Sequence, residues 1–477
     1  NIFVHLKIKH IIMKSFLFFL AVFIGFSVHA QEVSQIDAFK VASVFVEANS
    51  PGHLVIVKPL ETKKPLNDIW FFDLSPVGYI AIAPDMRLKP IIAYSFSNNQ
   101  DNEGRLKSVL NYDMQLRMEQ MDLLPVNIQK KNSTDWQKLL SGNYSFTKNT
   151  VYPPAGSTPT GGWLMEDWTQ NAPYNNMVPM DPVNMARSVA GCPAVAMAMI
   201  VNYQESINNT VFTDLDDYYH SYAGRQYWID DDYLAQDFPS FPQLNLFLDT
   251  LVMHWNAQQS LTNNDKAALV FACGVACTQV FTSSVSGTFG VSQALDAYYR
   301  FNFNTIEILY SGDTTIHTRL MQNMIDSLPA HLALVDSAGT VGHNIVVDGY
   351  DTDGYFHVNF GWGGTANGWY DLPAGFPYQL TVIEGVIVDI EKNITTGLGQ
   401  VYYEEVLVYP NPAANYFQLS IPIQTAMDIK IYDTNGNLVK KYRGNEQEID
   451  ISDYASGIYY IDVYFNNKIL KGKFIKE

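Results

Sequence analysis

Residues 151–405 hold only six lysines and arginines against 27 aspartates and glutamates, whereas residues 1–150 hold 16 against 13 and residues 406–477 hold eight against eight. A chain whose charge balance changes twice is built from differently composed stretches, and 477 residues suffice for two to four folding units. With 47% hydrophobic and 16% charged residues the composition is globular. The acidic middle stretch repels phosphate backbones and anionic lipid, which argues against nucleic acid as a partner. A mildly basic leader ahead of an acidic body suggests that the two complement each other.

The first residues read as an export signal. Met13 is the expected start, Lys14 the charged head, Ser15 to Val28 (SFLFFLAVFIGFSV) the apolar segment and Val28-His29-Ala30 the cleavage site. The apolar run is short for a membrane span. An exported protein stapled by disulfides would carry a larger, even set of cysteines, whereas Cys192, Cys273 and Cys277 leave at least one thiol unpaired. Cys273 and Cys277 are close enough in sequence for a local bridge, but buried free thiols are the expectation.

From residue 31 the periodicity predicts a helix over Val33 to Glu47, short strands at Leu54–Val57, Trp70–Leu74 and Tyr79–Ala83, and a helix over Leu106 to Leu124. Polar, lysine-bearing sequence from Gln129 to Lys148 and the Pro-rich stretch Tyr152 to Pro159 read as a linker. After Val408-Tyr409-Pro410-Asn411-Pro412 the strands alternate with period two around an Asn435-Gly436 turn, which predicts a small antiparallel β-sandwich.

The chemistry is expected between these parts. Gly191-Cys192-Pro193 opens a helix rich in small residues (Ala194 to Ile200), with Pro193 in the first turn, where its missing N–H is no loss. A cysteine there meets unpaired N–H groups that favour thiolate and can donate to an oxyanion. A buried cysteine at the start of a core helix would give the same string. A thiol nucleophile needs a base. His220, His254, His317 and His331 read as structural or surface residues, whereas His343 opens a strand, Gly342 to Tyr350, that returns through Asp351-Thr352-Asp353-Gly354 to Tyr355–Phe360. In a plain hairpin Asn359 would face Val346, on the wrong side for His343. A shift of one residue would bring it to the His343 side, so a bulge or an odd-length loop is expected.

These residues resemble the streptopain family of papain-like cysteine peptidases. The likeness is carried by Trp168-Thr169-Gln170-Asn171-Ala172-Pro173-Tyr174-Asn175, Gly191-Cys192, Gly342-His343 with Asp348-Gly349, and His357-Val358-Asn359-Phe360-Gly361-Trp362-Gly363-Gly364. It implies Cys192 as nucleophile, His343 as base, Asn359 as its orienter and Gln170 as oxyanion donor. Phe360, Trp362, Ser286 and Gly342 would then shield the site or meet substrate. Phe360 stands where the family usually has Trp, and the loop Thr282 to Gly287 departs from the family's substrate loop. Gly78 to Ser95 resembles the family's inhibitory pro-domain. Tyr409-Pro410-Asn411-Pro412, Ile431 to Gly436 and Lys473-Phe474-Ile475-Lys476 resemble the C-terminal sorting domain of type IX secretion cargo.

The expected organisation is an α+β chain: signal peptide 1–30, inhibitory pro-domain and cleavage linker 31–148, papain-like cysteine peptidase domain 149–394, linker 395–405 and sorting domain 406–477. The expected function is a secreted cysteine endopeptidase made as a zymogen, cutting extracellular proteins and peptides through a thioester. It would be exported through periplasm and outer membrane by the type IX machinery, with its own pro-domain as inhibitor. A surface-displayed binding protein that no longer cuts is the alternative, and a peptidase inhibitor whose active part is the pro-domain a third reading. The mechanism calls for no cofactor and no metal. The aspartates at 214, 216, 217 and 230–232 lack an EF-hand's spacing and read as solvated loops.

Overall fold

In a computed structural model the described residues are 32–477, apart from 51–54, 57–66, 103, 145–149, 336–341, 373–381, 394–403, 407, 421–426, 435, 445–447 and 466–467. The export signal expected over residues 1–30 lies outside them. Residues up to Asn393 form one compact unit and those from Ile394 a second.

The leader begins with α1 (Gln35–Asn49), where the Ser34 side chain accepts the Asp37 N–H and Ala38, Val41, Ala42, Phe45 and Val46 make the buried stripe. Strands β1 (Val55–Ile56), β2 (Trp70–Ser75), β3 (Tyr79–Ile82) and β4 (Ile91–Ser95) follow, then α2 (Arg105–Glu119) and α3 (Val126–Ser141). The polar stretch expected to be linker from Gln129 is largely α3. Its anchors are few but strong: buried Trp136 donates from its indole to the Leu88 carbonyl at 2.9 Å, and Asn132 to that of Arg87 at 2.8 Å. The Pro-rich stretch also begins as structure, because β5 (Val151–Tyr152) pairs with a strand of the middle block.

In that block, α4 (Cys192–Gln204) lies among α5 (Phe241–Asn256), α6 (Asn263–Ala276) and α7 (Val291–Arg300). The chain then supplies β6 (Glu307–Tyr310), α8 (Ile316–Ile325), β7 (Ala330–Val335), β8 (Gly342–Asp351), β9 (Phe356–Asn359), β10 (Gly368–Tyr370) and β11 (Ile383–Val388). With the leader's strands these make one antiparallel sheet in the order β1-β2-β3-β4-β10-β9-β8-β7-β11-β6, with β5 on β8. Leader and middle block are joined edge to edge, Tyr94 opposite Trp369 and Ala93 opposite Tyr370.

The sheet separates two cores. Ala333, Val346 and Ile387 join the helices of α4 and its neighbours, whereas Leu332, Leu334, Ile345 and Val347 join the leader's apolar residues. Strands buried on both faces read as continuous apolar runs, as Ile345-Val346-Val347 does. The second unit holds two sheets, 404–405/468–476/457–465/427–432/438–444 and 408–409/416–419/449–450, over a core that includes Phe417, Ile431, Ile461 and Phe474. Among the described residues its strand pairs are antiparallel except Glu404–Glu405 beside Leu470–Lys471, and a parallel bridge joins Ala413 to Lys476. The observed class is α+β with a β-sandwich at the end, as expected.

Candidate active site

Cys192 is the first residue of α4 and half-buried. The turn before it needs glycine: Gly191 has φ +88°, and a Cβ there would lie 2.8 Å from the Gln279 side-chain oxygen. Gln279, buried, donates to the Ala190 carbonyl at 2.6 Å and so clamps the approach to Cys192. The neighbouring Ala190 N–H donates to the Gln170 carbonyl at 2.9 Å, which sets residue 170 beside that turn. The segment bearing Gln170 is tied down behind the site. Asp167 accepts from Asn359 at 3.1 Å and Asn367 at 2.7 Å, and Asp348 accepts the Leu164 N–H at 3.2 Å.

His343 and Asn344 open β8. The His343 Nε2 donates to the Phe360 carbonyl at 2.9 Å, and the ring stacks on Trp362 (centroids 4.6 Å apart) and Phe360 (6.0 Å). Among the described residues the side-chain hydrogen bond to the Cys192 sulfur comes not from His343 but from Asn344, whose Nδ2 lies 3.9 Å from Sγ. Burial pushes the Cys192 thiol up, with the N–H donors of Asn344 acting against it. Burial also pushes His343 down to about 4, Phe360 opposes this, and the Arg105 charge adds to the depression. Arg105 belongs to the leader and lies over Trp362, 4.2 Å from the ring centroid.

Asn359 is not brought to His343. Both devices are present, a bulge at Asp348 and an odd-length turn over residues 351–355 that sets Tyr350 opposite Phe356. The two shifts cancel, and Asn359 stays opposite Val346. Fully buried, its oxygen accepts the Gly361 N–H at 3.0 Å and its amide goes to Asp167, so it shapes the turn that carries the Phe360 carbonyl. Gly342 stands at the start of β8 opposite Val335, exposed.

The loop expected to meet substrate lies against the front of α4. Val280 and Gly287 exchange backbone hydrogen bonds, the Thr282 carbonyl accepts the Val189 N–H at 3.0 Å, and the Ser286 carbonyl comes within 3.1 Å of a Cβ position on Gly191. Ser286 is buried, its hydroxyl accepting from the Thr282 N–H, while Asp181 receives both the N–H and the hydroxyl of Ser283 and a two-pronged contact from Arg225. Cys273 and Cys277 are free, buried thiols, as expected, and burial raises both. In the acidic loops Asp216 pairs with Arg300, Asp230 accepts the Phe241 N–H and Asp232 that of Trp228.

Gln279, Asn344 and the buried His357–Asp348 couple, 2.7 Å apart, were not singled out from the sequence as parts of the site. The only sequence signal for Asn344 was adjacency to His343. Gln279 and the pairing of His357 with Asp348 depend on chain crossings that no local pattern reports.

Residues 168–370 match the Peptidase C10 family and residues 407–477 the secretion system C-terminal sorting domain. Streptopain of Streptococcus pyogenes is 24% identical over 341 residues, 66% of this chain and 76% of that protein. The thiol protease/hemagglutinin PrtT of Porphyromonas gingivalis is 23% identical over 394 residues, 79% of this chain but 39% of that protein. Among solved structures, a fragment of Prevotella intermedia prointerpain A is similar with a TM-score of 0.47 and 17% identity, covering 69% of this chain and 98% of the fragment. The sorting domain marks the chain for type IX export, to the cell surface or the medium. Over residues 168–370 the chain is thus similar to the Peptidase C10 family and homologous to streptopain and PrtT.

Proposed function

We propose that the chain is a cysteine endopeptidase made as a latent precursor and directed at exposed or unfolded extracellular protein. The observation that carries this reading is Cys192 at the N-terminus of α4, facing the start of β8 where His343 and Asn344 stand. The Cys192 thiolate attacks the substrate carbonyl, with the developing oxyanion received by the Cys192 N–H and the Gln170 side chain. His343 gives its proton to the leaving amine, the C–N bond breaks and a thioester remains. Water then attacks the thioester, releasing the acid and restoring the thiol. The Phe360 carbonyl accepts a hydrogen bond from the Nε2 N–H of His343 and leaves Nδ1 to take the Cys192 thiol proton and pass it to the leaving amine. Asn359 acts through that carbonyl as a positioning residue, and Phe360 and Trp362 keep water from the ring. Ser286 and the 282–287 loop meet the substrate, together with the edge at Gly342.

Latency would come from the leader, residues 31–148. Its Asn99 carbonyl accepts the Ala366 N–H at 2.8 Å, its Tyr79 hydroxyl donates to the Ala366 carbonyl at 2.7 Å, and its Arg105 covers Trp362. All three hold the 360–371 segment that engages His343, and the Arg105 charge disfavours the imidazolium that catalysis needs. The test compares processed wild type with Cys192→Ala on an unfolded, dye-labelled protein in reducing buffer, the variant being cleaved beforehand by an added protease. Activity lost only in the variant supports a thiol peptidase. A fully processed wild type without activity would favour a surface-displayed binding protein on a peptidase scaffold.

A further inference from the structure

Asn344 is not an isolated neighbour of the sulfur. His331 on β7 sits diagonally across from it, since Ala333 is opposite Asn344, and both side chains lie on the face turned to α4. The His331 Nε2 lies 2.8 Å from the Asn344 oxygen, and its Nδ1 lies 3.2 Å from the Tyr298 hydroxyl of α7. His331 and Tyr298 are both fully buried. The Asn344 oxygen can only accept, so His331 Nε2 carries the proton. A neutral imidazole then accepts at Nδ1 from the Tyr298 hydroxyl. Burial holds His331 neutral, its pKa pushed down to about 4. Every donor therefore points the same way: Tyr298 O–H to His331, His331 N–H to Asn344, and Asn344 N–H to the sulfur of Cys192.

We propose that Asn344 is a catalytic residue of this peptidase, its amide stabilising the Cys192 thiolate, and that His331 and Tyr298 are positioning residues that hold the amide with its N–H group toward the sulfur. This deepens the thiol-peptidase reading and rests on it. An N–H donor favours a charged sulfur over a neutral thiol, and a donor whose own oxygen is engaged donates more strongly. The arrangement also fixes the sign. Turned over, the amide would present its oxygen to the sulfur and oppose the thiolate, and His331 with its proton on Nε2 and the Tyr298 hydroxyl on Nδ1 favours the observed orientation. Cys273 and Cys277 are buried and near α4 but have no part in the chain of donors.

The test measures the pH dependence of iodoacetamide alkylation of Cys192 in the full chain, followed by mass spectrometry. This needs no turnover and is read against the buried Cys273 and Cys277. Asn344→Ala is expected to raise the apparent thiol pKa by about one unit and to slow alkylation at pH 7 by about five- to tenfold. His331→Phe should act likewise. His331→Gln, whose amide can place an N–H near the same point, should restore most of the wild-type rate. Tyr298→Phe, nearly isosteric, should give a smaller shift of the same sign and serves if the other variants melt early. An unchanged or lowered apparent pKa in Asn344→Ala or Tyr298→Phe chains that melt like wild type overturns the proposal. Loss of peptidase activity in processed Cys192→Ala, found beside that result, leaves the peptidase reading standing while this one fails. Full activity in Cys192→Ala sinks the peptidase reading itself, whatever the alkylation shows.

Discussion

Arg105 places a leader charge one ring away from His343. Its guanidinium lies over Trp362, Trp362 stacks on His343, and Asp101 holds Arg105 in place by accepting its N–H at 2.7 Å and pairing with its side chain at 3.5 Å. Burial and this charge together push His343 to about 4 from 6.5. In that interval the folded precursor binds fewer protons than the unfolded chain. The stability contributed by this group is therefore complete above about pH 6.5 and lost as pH falls toward 4. Buried His331 has the same sign, whereas Asp351, raised to about 6 chiefly by burial, has the opposite one. Arg105→Ala is expected to flatten the acid loss of melting temperature between pH 6.5 and 4.5 and to raise the precursor's initial peptidase rate several-fold before any leader cleavage is visible on a gel. Melting curves of the two precursors that fall in parallel with acid would show that Arg105 does not act on His343.

At the scale of elements, α2 meets the segment after β10 through a buried guanidinium. Arg117 is 2% exposed, 2.7 Å from Asp113 on its own helix and 2.8 Å from Asp371, whose carbonyl it also holds. Arg117→Met leaves two carboxylates without that partner and should cost the precursor about 3–5 kcal/mol. The processed middle block, which has no α2, should lose nothing from this change. Equal melting temperatures for wild-type and variant precursors would show that α2 is not held this way. Neither this contact nor the length of α3 was legible in the sequence. Trp136 and Leu139 anchor that helix within polar sequence, so its stripe is too thin to register as periodicity. The β8–β9 hairpin was legible in its strands and in its bulge. That the bulge and an odd-length turn occur together and cancel was not, since the turn depends on Asp351, whose N–H bonds to the Tyr355 carbonyl and whose carboxylate takes the Tyr355 N–H. Cys192 and its helix start could be read because Gly-Cys-Pro is a local signal. Asn344, His331 and Tyr298 meet only when β7, β8 and α7 are packed.

Across the whole molecule, the uneven distribution of lysine and arginine becomes a map of where a Lys/Arg-specific protease can act. Of the six basic residues in 151–405, five are engaged in ion pairs: Arg187 with Asp237, Arg225 with Asp181, Lys266 with Glu166, Arg300 with Asp216, and Arg319 with Glu307 and Asp389. The sixth, Lys392, is exposed and stands next to the boundary between the two compact units. Upstream, Lys130, Lys131 and Lys138 lie exposed on α3, a helix with only three buried residues to hold it. A protease of this specificity should therefore cut on both sides of the middle block and spare its interior, because reaching the five paired residues requires opening a folded core. Limited trypsin treatment is expected to leave one resistant fragment that begins after one of the lysines between 130 and 148 and ends at Lys392, with the β-sandwich released as a separate piece. Such cuts would concentrate in the segment whose loss uncovers the 360–371 turn and His343. Mass spectrometry of the early digest decides the matter. Cuts at Arg187, Arg225 or Arg300 appearing as fast as those in the 130–148 stretch would mean that basic residues are scarce in the middle block for reasons unrelated to processing.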